Sequence, residues 1–322
     1  MVTRRDVLAV LLAAPFGVVR GQQARRKPAL VVILTPNSVY EPYAAFREEL
    51  RRLGYDEGAN LRLVVRNVAG KLDQLPAAAK EVAGMAPDVI VTVNTPPAQA
   101  MAAATKTIPI VMGILGDPVA TGLVKNLARP GGNLTGVSNY GGELAEKRLA
   151  LLKETVPGAR RVAAFHNPDD PITVRQIRDV DAARPKVGLE VQHFAARNLP
   201  QFETVLRDAL GWRPDAMIWL AGQQELFAKR TIDEGLKQRL PVMLIHGAHV
   251  EMGALISYWP DIADLWRRMA DYVDRILRGA SAGDLPVVLP SVFELAVNQR
   301  TARHIGVKVP QSVLVRADRV IE

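Results

Sequence analysis

The chain has 322 residues, too many for one comfortable core and enough for two lobes of ordinary domain size. Hydrophobic residues make up 48% and charged residues 23%, a globular balance with no sign of extensive disorder. Cysteine is absent, which excludes a disulfide framework, a thiolate metal site, a cysteine nucleophile and a lipid-modified cysteine anchor; the net charge of +8 comes from basic residues interleaved with acidic ones, as in Phe46-Arg47-Glu48-Glu49-Leu50-Arg51-Arg52, the pattern of a solvated helix face rather than a nucleic-acid-binding surface.

Thr3-Arg4-Arg5-Asp6-Val7-Leu8 places twin arginines before an apolar run over 7–19. That run is too short to span a bilayer as a stable helix. Val19-Arg20-Gly21 then offers small residues to a signal peptidase. Residues 1–21 read as a twin-arginine signal peptide, with the mature chain starting near Gln22 in the periplasm. No later stretch is apolar for long enough to cross a membrane, so a soluble periplasmic protein without a lipid anchor is expected.

A buried strand over 29–34 runs into the loop Thr35-Pro36-Asn37-Ser38-Val39-Tyr40. A helix over 42–53 follows, with Phe46, Leu50 and Leu53 as its buried stripe and Gly54 as its stop. A strand over 61–65 and a helix over 72–85 lead to the strand Pro87-Asp88-Val89-Ile90-Val91-Thr92-Val93. Thr95 then caps a helix to about residue 105, with Pro96 at its first position. A strand over 108–114 ends in Leu115-Gly116-Asp117-Pro118. Residues 129–139 form a turn and a short strand that make the first crossing to a second lobe, which opens with a helix over 143–155.

From there the pattern returns. Arg161-Val162-Ala163-Ala164-Phe165-His166-Asn167-Pro168 matches the first strand and its Pro-marked loop. Pro214-Asp215-Ala216-Met217-Ile218-Trp219-Leu220 matches the Pro-Asp strand, and Leu240-Pro241-Val242-Met243-Leu244-Ile245 matches Ile108-Pro109-Ile110-Val111-Met112. Order and spacing agree as well as local pattern, which marks an internal repeat. An amphipathic helix over 260–279 presents Ile262, Leu265, Trp266, Met269, Tyr272, Val273, Ile276 and Leu277 on one face. Strands over 285–289 and 292–297, a helix over 301–305 and a tail over 314–321 complete the chain.

The expected fold is α/β: two Rossmann-like lobes with parallel sheets, joined by a hinge of three crossings near Ser138, Ser257 and Asp284. Lobe one comprises 28–138 plus 259–283, and lobe two 139–258 plus 284–322. Such halves hold a ligand in the cleft beyond the carboxyl ends of their strands.

Phe46-Arg47-x-x-Leu50-x-x-Leu53-Gly54-Tyr55-x-x-Gly58-x-Asn60 resembles the first helix and turn of a family of ABC-transporter substrate-binding proteins that includes tryptophan- and tyrosine-binding members. Asp117-Pro118-Val119-x-x-Gly122-Leu123-Val124 and Leu127-Ala128-Arg129-Pro130-Gly131-Gly132-Asn133-Leu134-Thr135-Gly136 are similar to its most specific segment. Ser257-Tyr258, Ile276-Leu277-x-Gly279, Asp284-Leu285-Pro286-Val287 and Phe293-Glu294-Leu295 match its C-terminal part, so the resemblance covers nearly the whole mature chain. It implies a type I periplasmic-binding fold, a small-molecule ligand and a membrane ABC permease as partner. Trp259 stands where such proteins usually have glycine, and Asn94 where a small residue is common.

The loop-end residues Asn37, Ser38, Asn94, Thr95, Asp117, Asn139, Asn167, Gln223 and Tyr258 are the expected ligand-binding set, with Ser138 beside them. An amino-acid carboxylate would sit at a helix N-terminus near Ser38 or Thr95, and its ammonium against Asp117. Tyr40, Tyr258, Trp259 or Phe293 would supply an apolar wall. No catalytic or cofactor signature competes. Gly136-Val137-Ser138-Asn139-Tyr140-Gly141 has its second glycine one position late for a nucleophile elbow, and there is no phosphate loop and no Gly-x-Gly-x-x-Gly after a strand. His246-Gly247-Ala248-His249 falls short of a zinc ligand set, and Asp169-Asp170 reads as a solvated turn. The expectation is a monomeric, non-catalytic solute carrier without cofactor, metal or nucleic acid. The alternative is a ligand-sensing subunit of the same fold that signals to a membrane receptor.

Overall fold

The structure, a computed structural model, describes residues 27–36, 43–139, 144–169, 171–220 and 225–322. The leader, Asn37, Ser38, Tyr40 and Gln223 lie outside the described residues.

The first sheet has five parallel strands in the order β2-β1-β3-β4-β5. They are β1 (Ala29–Thr35), β2 (Leu61–Asn67), β3 (Val89–Val93), β4 (Ile110–Leu115) and β5 (Leu134–Ser138). Helices α1 (Tyr43–Arg52), α2 (Leu75–Gly84) and α3 (Thr95–Ala104) connect the strands and cover both faces. That cover explains why β3 is buried at every position, and apolar at all but Thr92, rather than alternating.

The second sheet has seven strands in the order β12-β11-β10-β9-β8-β6-β7. They are β6 (Arg161–His166), β7 (Glu190–Ala195), β8 (Ala216–Trp219), β9 (Val242–Leu244), β10 (Ile256–Pro260), β11 (Phe293–Asn298) and β12 (Arg319–Ile321). Around them lie α4 (Leu144–Thr155), α5 (Pro171–Ala183), α6 (Leu199–Gly211), α7 (Glu225–Gln238), α8 (Gly247–Glu251), α10 (Gln299–Ile305) and α11 (Gln311–Leu314). One pair departs from the all-parallel expectation, since β11 runs antiparallel to β10. β10 leaves this sheet toward the other lobe and β11 returns from it, so the two must run in opposite directions.

The repeat seen in the sequence is a repeat of topology. β2-β1-β3-β4 and β7-β6-β8-β9 are the same arrangement. The duplicated Pro-Asp pairs do the same work in each half. Asp88 accepts a hydrogen bond from the Leu30 N–H at 2.7 Å, and Asp215 accepts from the Arg160 and Arg161 N–H groups at 2.8 and 2.9 Å. Each carboxylate thus tethers the start of the neighbouring first strand. The prolines of the next strand match too: the Pro109 carbonyl accepts from Ile90 and the Pro241 carbonyl from Met217, both at 2.9 Å.

Helix α9 (Ile262–Leu277) follows β10 in the chain but packs on the first sheet. Its Leu265, Trp266, Met269 and Val273 share a core with Phe46 and Leu50 of α1 and with Val91 and Val111. The Trp266 ring meets Phe46 edge-on, 5.6 Å between centroids. Met269 fills the space above Gly113, where a Cβ would lie 1.9 Å from its Sδ. Asp261 caps the helix, accepting from the Ala263 and Asp264 N–H groups.

The chain therefore passes between the sheets three times: after β5, between β10 and α9, and in the segment that leads to β11. Pairing keeps Trp259 and Pro260 in the second sheet, two residues beyond the expected change of lobe. The third passage runs beside β5 through residue 288, later than expected. Val137 and Val288 form a bridge, Thr135 Oγ1 donates to Leu285 O at 2.7 Å, and Ser138 N donates to Val288 O at 2.9 Å. Two glycines allow close backbone approaches here, Gly136 to β4 and Gly283 to the turn before β5. Gly136 has φ +136 and no room for a side chain, since a Cβ would lie 2.0 Å from the Met112 carbonyl oxygen. A Cβ on Gly283 would lie 2.5 Å from the Gly132 carbonyl oxygen, which is why the Arg129-Pro130-Gly131-Gly132-Asn133 turn sits where it does.

Gly136→Ala should destabilise the protein by more than about 2 kcal/mol, because both its φ and its space are forbidden to a side chain. Gly158→Ala, with nothing within 4 Å, should stay within about 0.5 kcal/mol. Urea denaturation of both variants checks the difference, and equal midpoints would refute the close-approach account.

Candidate functional site

Described loops at the carboxyl ends of β3, β4, β6 and β8 and the passages between the sheets gather at one place. Asn94 follows β3 with φ 70 and ψ 165, a region that is almost the preserve of glycine. Its N–H donates to the Gly113 carbonyl at 3.0 Å, which holds the residue there. Asn94, not Thr95, is the residue before helix α3, one position earlier than expected, and its side chain makes no capping bond. Pro96 and Pro97 then remove two N–H groups from the first turn, so this helix start is a poor receptor for a carboxylate. The Thr92 and Thr95 hydroxyls are buried there without a hydrogen-bond partner among the described residues.

The end of β4 is irregular. Its pairing with β5 shifts between Met112 and Leu115, and Ile114 has φ 53, unusual for a β-branched residue. Ser138 Oγ donates to the Leu115 and Gly116 carbonyls at 3.2 and 3.0 Å, and Asn139 N to Leu115 O at 3.0 Å. Ser138 therefore braces the bulge. Asp117 has one carboxylate oxygen accepting from Val119 N and Ala120 N, each at 3.0 Å. Its other oxygen faces Arg175 of α5 at 3.5 Å, across to the second lobe.

Asn167 is buried and builds the turn after β6. Its Oδ1 accepts from Asp169 N at 3.0 Å, and its carbonyl accepts from Thr173 Oγ1 at 2.6 Å. Tyr258 is half-buried, stacks on Phe293 with centroids 5.4 Å apart, and packs against the second-sheet core with Leu149 and Leu152. The next residue, Trp259, is 4% exposed and shares the first-sheet core with Ile245 and Ile262. Successive strand residues point to opposite faces.

A pocket opens beside Trp259, between α4, α5 and the end of β8. Its polar lining is Asn139, Arg148, Gln176 and Asp179; Leu144, Val180, Leu220 and Trp259 are among its apolar walls. Of the expected residues that are described, Asn139 lines it. Arg148 is 3% exposed, and its Nη2 donates to the Trp219 carbonyl at 2.7 Å. Its guanidinium carbon lies 5.9 Å from the Trp259 ring centroid. Burial pushes the Arg148 pKa down to about 9. Among the described residues neither Arg148 Nε nor Trp259 Nε1 has a hydrogen-bond partner, although both are buried. Arg148 escaped expectation because it sits in a charged run. A signal did exist: Arg148, Leu152 and Thr155 fall at i, i+4 and i+7 on the buried stripe of α4.

Residues 27–321 match the ABC transporter substrate binding protein family along nearly their whole length. The chain belongs to that family. A tyrosine-binding protein of Clostridioides difficile strain R20291 is 26% identical over 260 residues, covering 80% of this chain and 74% of the relative. A Streptococcus pneumonia ABC domain solved in complex with L-Trp superposes with TM-score 0.84 at 26% identity, covering 92% of this chain and all of that one. A conserved domain protein of Vibrio cholerae superposes with TM-score 0.83 at 29% identity, over 91% of this chain and all of that one.

Within this substrate-binding fold, His246 and His249 stand near the pocket with ring centroids 5.5 Å apart. Burial, then His249 and the Arg148 charge, push the His246 pKa down to about 3, and burial pushes His249 down to about 4. Among the described residues no group of three acidic or histidine side chains is placed to hold a metal. Both histidines are neutral in the folded state. Their folded pKa values lie below the unfolded value of about 6.5, so between those limits the unfolded chain binds more protons. Stability is present above pH 6.5 and is lost as pH falls toward 4. For His249 alone the loss between pH 7 and pH 5 is about 2 kcal/mol. Urea midpoints at the two pH values check this, and His249→Gln should flatten the dependence; an unchanged slope would remove His249 as its source.

Proposed function

We propose that the mature chain, exported through the twin-arginine leader and released near Gln22, works in the periplasm as a soluble monomer. It captures an aromatic amino acid or a similar small polar molecule between its lobes and delivers it to a membrane ABC permease. The observation that carries this reading is the pocket beside Trp259, lined from the second lobe next to the passages that join two lobes of the same topology. The tyrosine-binding relative and the L-Trp complex support the choice of ligand class. No step of covalent chemistry is needed.

Residues 28–138 plus 261–288 move as one lobe and 139–260 plus 289–322 as the other, with the three passages between the sheets as hinge. Binding drives closure because the closed state contacts the solute from both lobes. Asn37, Ser38 and Gln223 join Asn139 as ligand contacts, while Asn94 and Thr95 shape the opposing wall. Asp117 contributes through Arg175 of the other lobe, since the rest of its carboxylate is committed to its own turn.

A thermal-shift screen of residues 22–322 against amino acids, purines, sugars and aromatic acids tests the reading. L-tyrosine or L-tryptophan at 100 times its Kd should stabilise by about 2.7 kcal/mol, a rise of about 4 °C for a chain of this size. A shift with sugars alone would sink the amino-acid assignment. Asp117→Ala should weaken binding by about 1 kcal/mol or less, the worth of an exposed ion pair. A loss of more than about 2 kcal/mol by calorimetry would instead make Asp117 a direct partner of the ligand ammonium.

A further inference from the structure

We infer that Arg148 and the Trp259 indole N–H form the receptor for an anionic group, so that the solute of this protein carries a carboxylate and is held by it from the second lobe. The inference rests on the solute-binding reading above and names the chemistry of its ligand. Arg148 lies inside the protein, 3% exposed, with no carboxylate within ion-pair distance among the described residues. A buried guanidinium is normally paired, because an isolated charge is costly to remove from water. Here one arm is anchored on the Trp219 carbonyl while Nε is left without a partner. Trp259 Nε1, on the ring that Arg148 overlies, is the second buried donor left without a partner.

Both missing partners are acceptors, and both residues line the same pocket, where the Asn139 side chain adds a further polar group. A guanidinium edge matches a planar carboxylate, and an indole N–H beside it can serve the same anion. The local field agrees, since the Arg148 charge helps to keep His246 unprotonated. Asp179, the acid in the lining, faces Arg175 at 3.5 Å rather than Arg148. The start of α3, the other expected carboxylate site, lacks two of its donors to Pro96 and Pro97. A neutral sugar or an amide would leave the Arg148 charge uncompensated.

Calorimetry with L-tryptophan, L-tyrosine and their carboxamides, on the wild type and on Arg148→Met and Arg148→Lys, tests this. The amino acids should bind the wild type at least about 30-fold more tightly than their carboxamides. Arg148→Met should lose about 100-fold or more in affinity, and Arg148→Lys should recover part of it. Without ligand, Arg148→Met should melt at or above the wild type, because it removes an uncompensated buried charge. Equal binding of acid and amide by the wild type overturns the inference without any mutation. So does wild-type affinity in Arg148→Met, or a ligand-free Arg148→Met that melts well below the wild type. If the wild type binds myo-inositol and neither amino acid, the carboxylate receptor falls and solute binding stands. If it binds no solute of either class, both fall.

Discussion

Helix α9 sits in the core of the first sheet, although the chain reaches it only after building most of the second. Trp266 against Phe46, and Met269 over the bare backbone of Gly113, bury its apolar face where no other helix of that lobe could. Burial of such large side chains contributes about 1.5–3 kcal/mol each, so the docking is not optional. It forces the chain out of the first lobe, into the second, back, and out again. The three passages lie close together, and Gly283 allows the third to approach the turn before β5 at backbone distance. A cleft between two rigid bodies joined by a narrow connection is the geometric consequence.

Strain and unmet hydrogen bonds occur around that cleft as well as elsewhere. Asn94 and Ile114 adopt backbone conformations that cost of order 1–3 kcal/mol each. Arg148 Nε, Trp259 Nε1 and the Thr92 and Thr95 hydroxyls are buried without partners. Elsewhere some buried polar groups are satisfied, as Asn298 bridges Val250 O and Thr301 N and Asn133 reaches Ile108 O, while Trp266 Nε1 and Arg161 Nε are buried without a hydrogen-bond partner among the described residues. Sites that must meet a ligand are where a fold departs from local consistency, and the stable remainder bears the cost.

The duplicated halves were legible because their signals are local. A strand buried on both faces reads as an unbroken apolar run, and the Pro-Asp and Pro-apolar pairs mark its start. The structure adds the reason for the pairs, since Asp88 and Asp215 each hold the first strand of their own lobe. The expected ligand set was legible only in part. Loop-end polar residues have two possible occupations, and Asp117, Asn167 and Ser138 spend their hydrogen bonds on their own turns and bulge. Among the described residues of the set, Asn139 lines the pocket.

Periodicity, turn residues and spacing by themselves determined the α/β class, the two lobes and the swapped amphipathic helix; the family came from the resemblance of its motifs. These depend on interactions between near neighbours in the chain, which residue type and order encode directly. Only the tertiary structure decided that Arg148 is buried, that Trp259 rather than Tyr258 faces the pocket, and that β11 runs against β10. A charged residue on a helix face is solvated or buried according to what packs over it, and in this protein that is a strand more than a hundred residues further along.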